Sequence, residues 1–324
     1  MTTTAQQALP SGFGARSTAT EVLEGIDLTG TTAIVTGGYS GLGIEAVAAL
    51  AAAGARVIVP ARRPEVARAA LDARGLDSVE VESLDLADLA SVRAFAERFL
   101  ATGRSLDILI NNAAIMAAPE TRVGDGWESQ FATNHLSHYV LTNLLWPALV
   151  DGNGARVLAL SSTGHKLSGI RFDDPQFSAG YDKWQAYGQA KTANSLFAVQ
   201  LDALGAERGV RAFAVHPGGI MTELQRHLPR EEMVAAGWMT EDGVVNAQFK
   251  SPEQGAATSV WAATSAQLDG MGGVYCEDCD IAEVTVPDSD SARVRGVNPH
   301  AVDPAAAARL WALSAELTGV NAFA

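Results

Sequence analysis

The segment QAYGQAK at residues 185–191 places Tyr187 and Lys191 four positions apart among small and apolar residues. In a helix that spacing puts the phenol and the ammonium on one face. A phenol with an ordinary pKa near ~10 keeps its proton at neutral pH and is a poor base. A cation about 5 Å away is worth roughly 3 kcal/mol at an effective dielectric near 20, or about two pKa units. The pair therefore has the makings of a tuned acid/base, although the same spacing also suits a solvated surface pair.

A second stretch bears on chemistry. In VTGGYSGLG (35–43), Gly37, Gly41 and Gly43 follow a GxxxGxG spacing between an apolar β-branched run and a helix-like segment. Glycines there permit a tight turn and close backbone approach, so a helix N-terminus can offer free N–H groups to a pyrophosphate. The following strand ends VIVPARRP. It supplies no acidic residue for a ribose 2′-hydroxyl but has Arg62 and Arg63, whose guanidinium groups suit a 2′-phosphate. NADP(H) is the expected cofactor, and two idle, solvated arginines would be the alternative.

The elements that must position these groups follow from periodicity. Strand-like runs at 31–37, 55–61, 78–86, 106–114, 155–162, 210–218 and 273–278 alternate with helix-like runs at 42–53, 64–74, 88–101, 127–150, 185–205, 253–266 and 303–317. Continuous apolar strands between helices imply an α/β, Rossmann-type doubly wound fold: a mostly parallel sheet, helices on both faces, one domain. Residues 1–30 read as an arm with one short helix near ATEVLEG, followed by a single domain over 31–324. Residues 222–250 and 280–300 lack periodicity and read as loops over a site or as a tail.

Composition narrows the function. The chain has 324 residues and a net charge of −14, which disfavours nucleic acid and anionic membrane surfaces. No apolar run reaches the ~18–20 residues of a bilayer span, and no signal peptide is evident, so a soluble cytoplasmic protein is expected. Cys276 and Cys279 form one CxxC with no second pair and no neighbouring histidine pair, which favours a structural role and no metal.

Six motifs in order, TGGYSGLG, NNAA (111–114), Asn134 in FATNHLSHYV, LALSS (158–162), YGQAK and HPGGIMT, resemble the short-chain dehydrogenase/reductase family. FATNHLSHYVLTNLL, ARVLALSSTGHK, GGVYCEDC and STATEVLEGIDLTG are similar to its retinol-dehydrogenase and WW-domain-oxidoreductase-like group, over about residues 17–318. The resemblance implies a catalytic tetrad. Tyr187 is the general acid/base, Lys191 lowers its pKa and holds the nicotinamide ribose, Ser162 bonds the substrate oxygen, and Asn134 anchors a water of a proton relay. It further implies cofactor contacts from the loop residues Tyr39, Ser40 and Leu42, with Tyr39 over the adenosine phosphate. Asp85 and Leu86 would flank the adenine, and Asn111 to Ala114 (Asn112 and Ala113 among them) would line the fourth strand's end. Pro217, Gly218, Ile220 and Thr222 would lie at the nicotinamide end.

Ser162 and Tyr187 are 25 residues apart, a longer spacing than in much of the family. Residues 163–184, with Ile170, Phe172, Phe177 and Trp184, are therefore expected to form a lobe beside the substrate. His135, His138 and His165 are expected to be neutral packing or hydrogen-bonding residues. The reaction implied is alcohol/carbonyl interconversion on a small hydrophobic substrate. An NAD-preferring dehydrogenase, a cofactor-sensing regulator and a sugar epimerase or dehydratase are weaker readings. A homodimer or homotetramer through the helices at 127–150 and 185–205 is a family-based expectation.

Overall fold

Each apolar run of the alternating pattern forms a short strand, and the strands lie side by side. The computed structural model describes residues 4–286, 289 and 294–324; parts of the expected arm (1–3) and of the 280–300 loop lie outside them. The strands are β1 (Thr32–Val35), β2 (Arg56–Ala61), β3 (Glu80–Ser83), β4 (Ile108–Asn111), β5 (Arg122–Val123), β6 (Trp127–Glu128), β7 (Arg156–Leu160), β8 (Arg211–His216), β9 (Val274–Glu277) and β10 (Asp280–Ile281). Eight make one sheet in the order β10-β9-β8-β7-β4-β1-β2-β3, while β5 and β6 form a separate hairpin. Every neighbouring pair in the large sheet is parallel except β9–β10. The sheet reverses at β1/β4, the place where an open α/β sheet offers a crevice at its carboxyl edge.

The helices are α1 (Ala19–Val22), α2 (Gly41–Ala52), α3 (Pro64–Asp72), α4 (Leu89–Ala101), α5 (Ser129–Phe131), α6 (Ser137–Leu144), α7 (Trp146–Val150), α8 (Lys183–Gly205), α9 (Arg230–Ala235), α10 (Pro252–Thr264) and α11 (Pro304–Thr318). Alternation along the strands sends side chains to two cores. Ala33, Val35, Val57, Val59, Ile110, Leu158 and Val215 meet α1, α2 and α10 on one face. Ile34, Ile58, Leu109, Val157, Ala159 and Ala214 meet α4, α6 and α8 on the other. The single doubly wound α/β domain read from the sequence is the one observed.

Two local expectations are corrected. The run at 127–150 is not one helix. Trp127 and Glu128 belong to β6, residues Ala132–Leu136 form a π-helical turn, and Pro147 separates α6 from α7. A proline removes an amide donor and clashes with the preceding turn, which explains the last break. The short helix expected near ATEVLEG is α1, and the arm is docked: Val22, Leu23 and Leu28 are buried in the first core, and Gln6 Nε2 donates to the carbonyls of Tyr275 and Ala282. Within the loops, α9 and a 3-10 turn (Glu223–His227) lie in 222–250, and β10 lies in 280–300.

α11 and the C-terminal residues pack on the two helical regions named for a subunit contact. Trp311 of α11 stacks on Phe197 of α8 (5.7 Å, 12°) and meets Tyr139 of α6 edge-on at 4.8 Å. Past α11, Phe323 lies 4.5 Å from Trp146, and the amide of Ala322 donates to Asn143 Oδ1. Cys276 and Cys279 are buried free thiols in the first core, and burial raises the pKa of both.

Candidate active site

Tyr187 and Lys191 sit in the first turns of α8, whose start is capped by Asp182 accepting from the amides of Trp184 and Gln185. The far end of α8 is fixed to the sheet by Asp202, which takes a bidentate pair from Arg211 at 2.7 and 2.8 Å. The opposing wall comes from the end of β7. There Ser162 caps a 3-10 turn (Thr163–Leu167), its Oγ accepting from the Gly164 amide at 3.1 Å. Gly164 permits the contact with the phenol: a Cβ there would fall 2.7 Å from Tyr187 Cε1.

Tyr187 is 4% exposed, and its phenol lies beside the Ser162 side chain, which acts to lower its pKa. Lys191 Nζ lies 5.5 Å from the Tyr187 ring centre and donates to the Leu160 carbonyl at 2.8 Å. Burial pushes the phenol up to about 12, the Ser162 side chain opposing it, and burial pushes Lys191 down to about 7. Desolvation is the leading cause of the upward shift of the phenol, and the Lys191 ammonium is turned toward the Leu160 carbonyl.

Ser161, by contrast, is buried, donating to the Lys191 carbonyl at 2.8 Å. Asn134 lies on the π turn with no exposure. Its Oδ1 accepts from the Ile115 amide and its Nδ2 donates to the Ile115 carbonyl, both at 2.9 Å. The side chain holds the 115 loop rather than pointing into open space. The Asn134 carbonyl accepts from His138 Nδ1 at 3.1 Å, which leaves Nε2 to accept from Thr36 Oγ1 at 2.9 Å. Thr36 Oγ1 in turn accepts from the amides of Asn112 and Ala113. Burial lowers His138 and His165 to about 4, so both are neutral at neutral pH, as expected. His165 ties Ser162 to the C-terminal segment through Nδ1 to the Ser162 carbonyl (2.6 Å) and Nε2 from the Asn298 amide (3.0 Å).

The glycine loop meets the same edge. The Ser40 side chain makes no cap bond at the start of α2, leaving the first-turn amides free of a side-chain partner. A Cβ on Gly43 would fall 2.3 Å from the Gly37 carbonyl, and one on Gly37 would fall 3.1 Å from Ala113 Cα. A Cβ on Gly41 would lie 3.4 Å from Thr222 Cγ2, so Thr222 approaches the loop from the far side of the crevice. Tyr39 is half-buried against the first core, and Leu42 packs beside it. Arg62 and Arg63 are exposed at the end of β2 with no partner among the described residues. A cradle that only glycine fits, free helix amides and two unpaired guanidinium groups suit a dinucleotide phosphate.

The remaining residues divide. Asn112 Nδ2 donates to the Thr36 carbonyl beside Ala113 and Ala114, whereas Asn111 is buried, its Nδ2 bonded to Thr142 in the helix layer. The Asn111 side chain is therefore a packing group. The Asp85 carboxylate caps its own turn through the Ala87 amide, and Leu86 is buried. Pro217 and Gly218 follow β8. A Cβ on Gly218 would meet Lys250 Cε at 2.7 Å, and Ile220 packs toward Gly255. Of the expected lobe, only Trp184 joins the cluster around Tyr187 with Met116, Ala117 and Leu228. Ile170 and Phe172 turn to a separate cluster with Phe131 and Leu310. Glu232, Gly164 and Lys250 carried no sequence signal beyond their neighbourhood to known motifs.

An α/β nucleotide-binding fold with a buried Tyr–Lys–Ser cluster at its carboxyl edge defines the class. The family model described as short chain dehydrogenase matches residues 31–233, and this chain belongs to that family. It is 47% identical over 298 residues to a Streptomyces lividans protein named "Probable oxidoreductase", covering 90% of this chain and 98% of that one. Retinol dehydrogenase 12 of Mus musculus is 38% identical over 300 residues, 91% and 89% of the two chains. Among solved structures, a Mycobacterium paratuberculosis protein superposes with a TM-score of 0.72 at 33% identity, covering 95% and 99%. The Pseudomonas aeruginosa RhlG/NADP active-site complex gives 0.60 at 26%, covering 77% and 94%. Retinol-dehydrogenase-like relatives thus stand among its kin, and the chain is an oxidoreductase by family. No helix among the described residues is long and apolar enough to cross a membrane, and no three His, Cys, Asp or Glu side chains among them gather as for a metal ion.

Proposed function

We propose that the protein interconverts an alcohol and a carbonyl on a small apolar substrate with NADP(H), Tyr187 transferring the proton. The observation that carries this is the buried phenol beside Ser162 and Lys191, under a roof of Met116, Leu228 and Trp184. The α2 amides with Gly37, Ser40, Gly41, Leu42 and Gly43 would hold the pyrophosphate, and Tyr39, Arg62 and Arg63 the adenosine 2′-phosphate. Asp85, Leu86, Asn112, Ala113 and Ala114 would line the adenine side. Pro217, Gly218, Ile220, Thr222, Tyr187 and Lys191 would face the nicotinamide end. A bound nicotinamide supplies or accepts the hydride.

The chain's own groups do the rest. Charge grows on the carbonyl oxygen as it is reduced, so donors placed there lower the barrier. The Ser162 hydroxyl orients that oxygen and the Tyr187 O–H delivers the proton. A phenol held at about 12 carries its proton at neutral pH and can donate it to a carbonyl oxygen. Lys191, buried beside the ring, stabilises the phenolate left behind. The Pseudomonas neighbour's NADP complex and the unpaired arginines support the cofactor choice. Free buried thiols accord with a reducing, cytoplasmic setting.

The test is a panel of apolar ketones, aldehydes and alcohols with each cofactor. Turnover with NADPH is expected, and Arg62→Asp should swing preference toward NADH. No turnover on any carbonyl or alcohol, or an unchanged cofactor ratio, would count against the corresponding half of the proposal.

A further inference from the structure

We propose that Glu232 is a positioning and specificity residue that latches α9 onto the head of α8 and so sets the wall against which the apolar substrate seats. The inference rests on the reading of Tyr187 as the reacting group. Both carboxylate oxygens are engaged by consecutive residues of the first turn of α8. Oε2 accepts from Lys183 Nζ at 2.6 Å, and Oε1 accepts from the Trp184 indole N–H at 2.7 Å. Both bonds are charge-assisted, and together they fix the indole's rotation as well as its place.

What the indole does is read from its neighbours. Its ring stands edge-on to the Tyr187 ring at 6.3 Å and 81°, and edge-on to Trp238 at 6.0 Å and 84°. Trp238 in turn lies 6.0 Å from Phe249. With Leu224, Met233 and Leu228 these rings form an apolar wall reaching from Tyr187 across the 222–250 segment. A wall of indole, thioether and isobutyl groups selects an uncharged, flat or branched apolar carbonyl compound.

Besides the packing of Met233, the carboxylate is the main tie of α9 to α8, while Arg16 holds the far end of the segment at the Ala247 and Phe249 carbonyls. The helix has six residues, no side-chain cap and no buried residue of its own. The segment after it is tied by exposed bonds, Arg230 Nη2 to the Glu241 carbonyl and Asn246 Nδ2 to the Gly237 carbonyl. Segments with few buried apolar contacts open at low cost. At the far end, Lys250 is anchored firmly by Asp278 at 2.7 Å. The geometry is that of a strap fixed at residue 250 and fastened at residue 232.

The test compares wild type, Glu232→Gln, Glu232→Ala and Trp184→Phe in three measurements. Kinetics use an apolar ketone and NADPH. Glu232→Ala should raise KM for the ketone about tenfold with kcat held within about twofold, and Glu232→Gln, which can still accept from the indole, should fall between. The two other readouts need no turnover: tryptophan emission, and amide exchange of residues 230–247, on the NADP-loaded chain. Glu232→Ala should shift the emission and speed the exchange, and Trp184→Phe should remove most of the emission shift. Unchanged KM, emission and exchange in Glu232→Ala would overturn the latch. So would a KM that rises equally for apolar and polar carbonyls. Failure of the Tyr187 reading would show separately, as activity insensitive to Tyr187→Phe while emission and exchange still respond to Glu232.

Discussion

Gly164→Ala tests the packing of the reacting ring with the smallest possible change. The added Cβ would sit 2.7 Å from Tyr187 Cε1 and 2.9 Å from Cδ1, while ordinary contact begins near 3.4 Å. The ring must therefore retreat by at least 3.4 − 2.7, or about 0.7 Å. It is hemmed in by Trp184 and by α8 itself, so the movement carries the phenol oxygen away from Ser162. Displacements near ~1 Å at a reacting centre cost up to about a hundredfold, so kcat should fall about ten- to a hundredfold, some 1.4–2.7 kcal/mol. Overpacking should cost about 1–3 kcal/mol of stability as well, read as a Tm lower by several degrees. Gly14→Ala is the control, because a Cβ there meets nothing within 4 Å. The assay is steady-state kinetics beside thermal unfolding and NADP(H) binding, the last expected to be unchanged. A variant with a lowered Tm but full kcat would refute the claim that this ring's position governs turnover.

Lys191→Met should abolish turnover yet stabilise the fold at low pH. The lysine's folded pKa is depressed from 10.5 to about 7, so the unfolded chain binds more protons between those values. Wild-type stability therefore rises with pH across that window, by up to about 5 kcal/mol from this group, and the variant's lead should shrink accordingly. Thermal unfolding from pH 6 to 10 reads this, and a gap independent of pH contradicts it. Because α11 and the C-terminal residues cover α6 and α8, amide exchange of residues 189–200 should not change with protein concentration. Protection that grows with concentration would mean that copies pair across this face.

Much of the fold was legible because the strands are continuous apolar runs. Ala33–Val35 or Val157–Leu160 bury both faces and cannot be mistaken for loop. The antiparallel β10 was not, since two residues, Asp280 and Ile281, carry no period. The break in the run at 127–150 was announced only by Pro147; nothing in ATNHL distinguishes a π turn from an α-helix. The destinations of Ile170 and Phe172 depend on α11, which lies far away in sequence and packs over α8.

At the site, the Tyr187–Lys191 pair and the glycine loop were legible from spacing that a helix turn or a strand end enforces, whereas Ser162 came from the family resemblance. The protonation balance was not legible. Spacing gives the distance between phenol and ammonium, but burial, which dominates both, depends on how Met116, Leu228 and Trp184 close over them. Glu232 looks like any loop carboxylate until its two donors are seen.

The most direct test of the central claim is the Tyr187→Phe variant, assayed with the best apolar carbonyl of the panel and NADPH. The ring and its packing are kept while the proton donor is removed. The account predicts a loss of kcat of at least about a hundredfold with NADP(H) binding and Tm near wild type. Turnover that survives the change would contradict it.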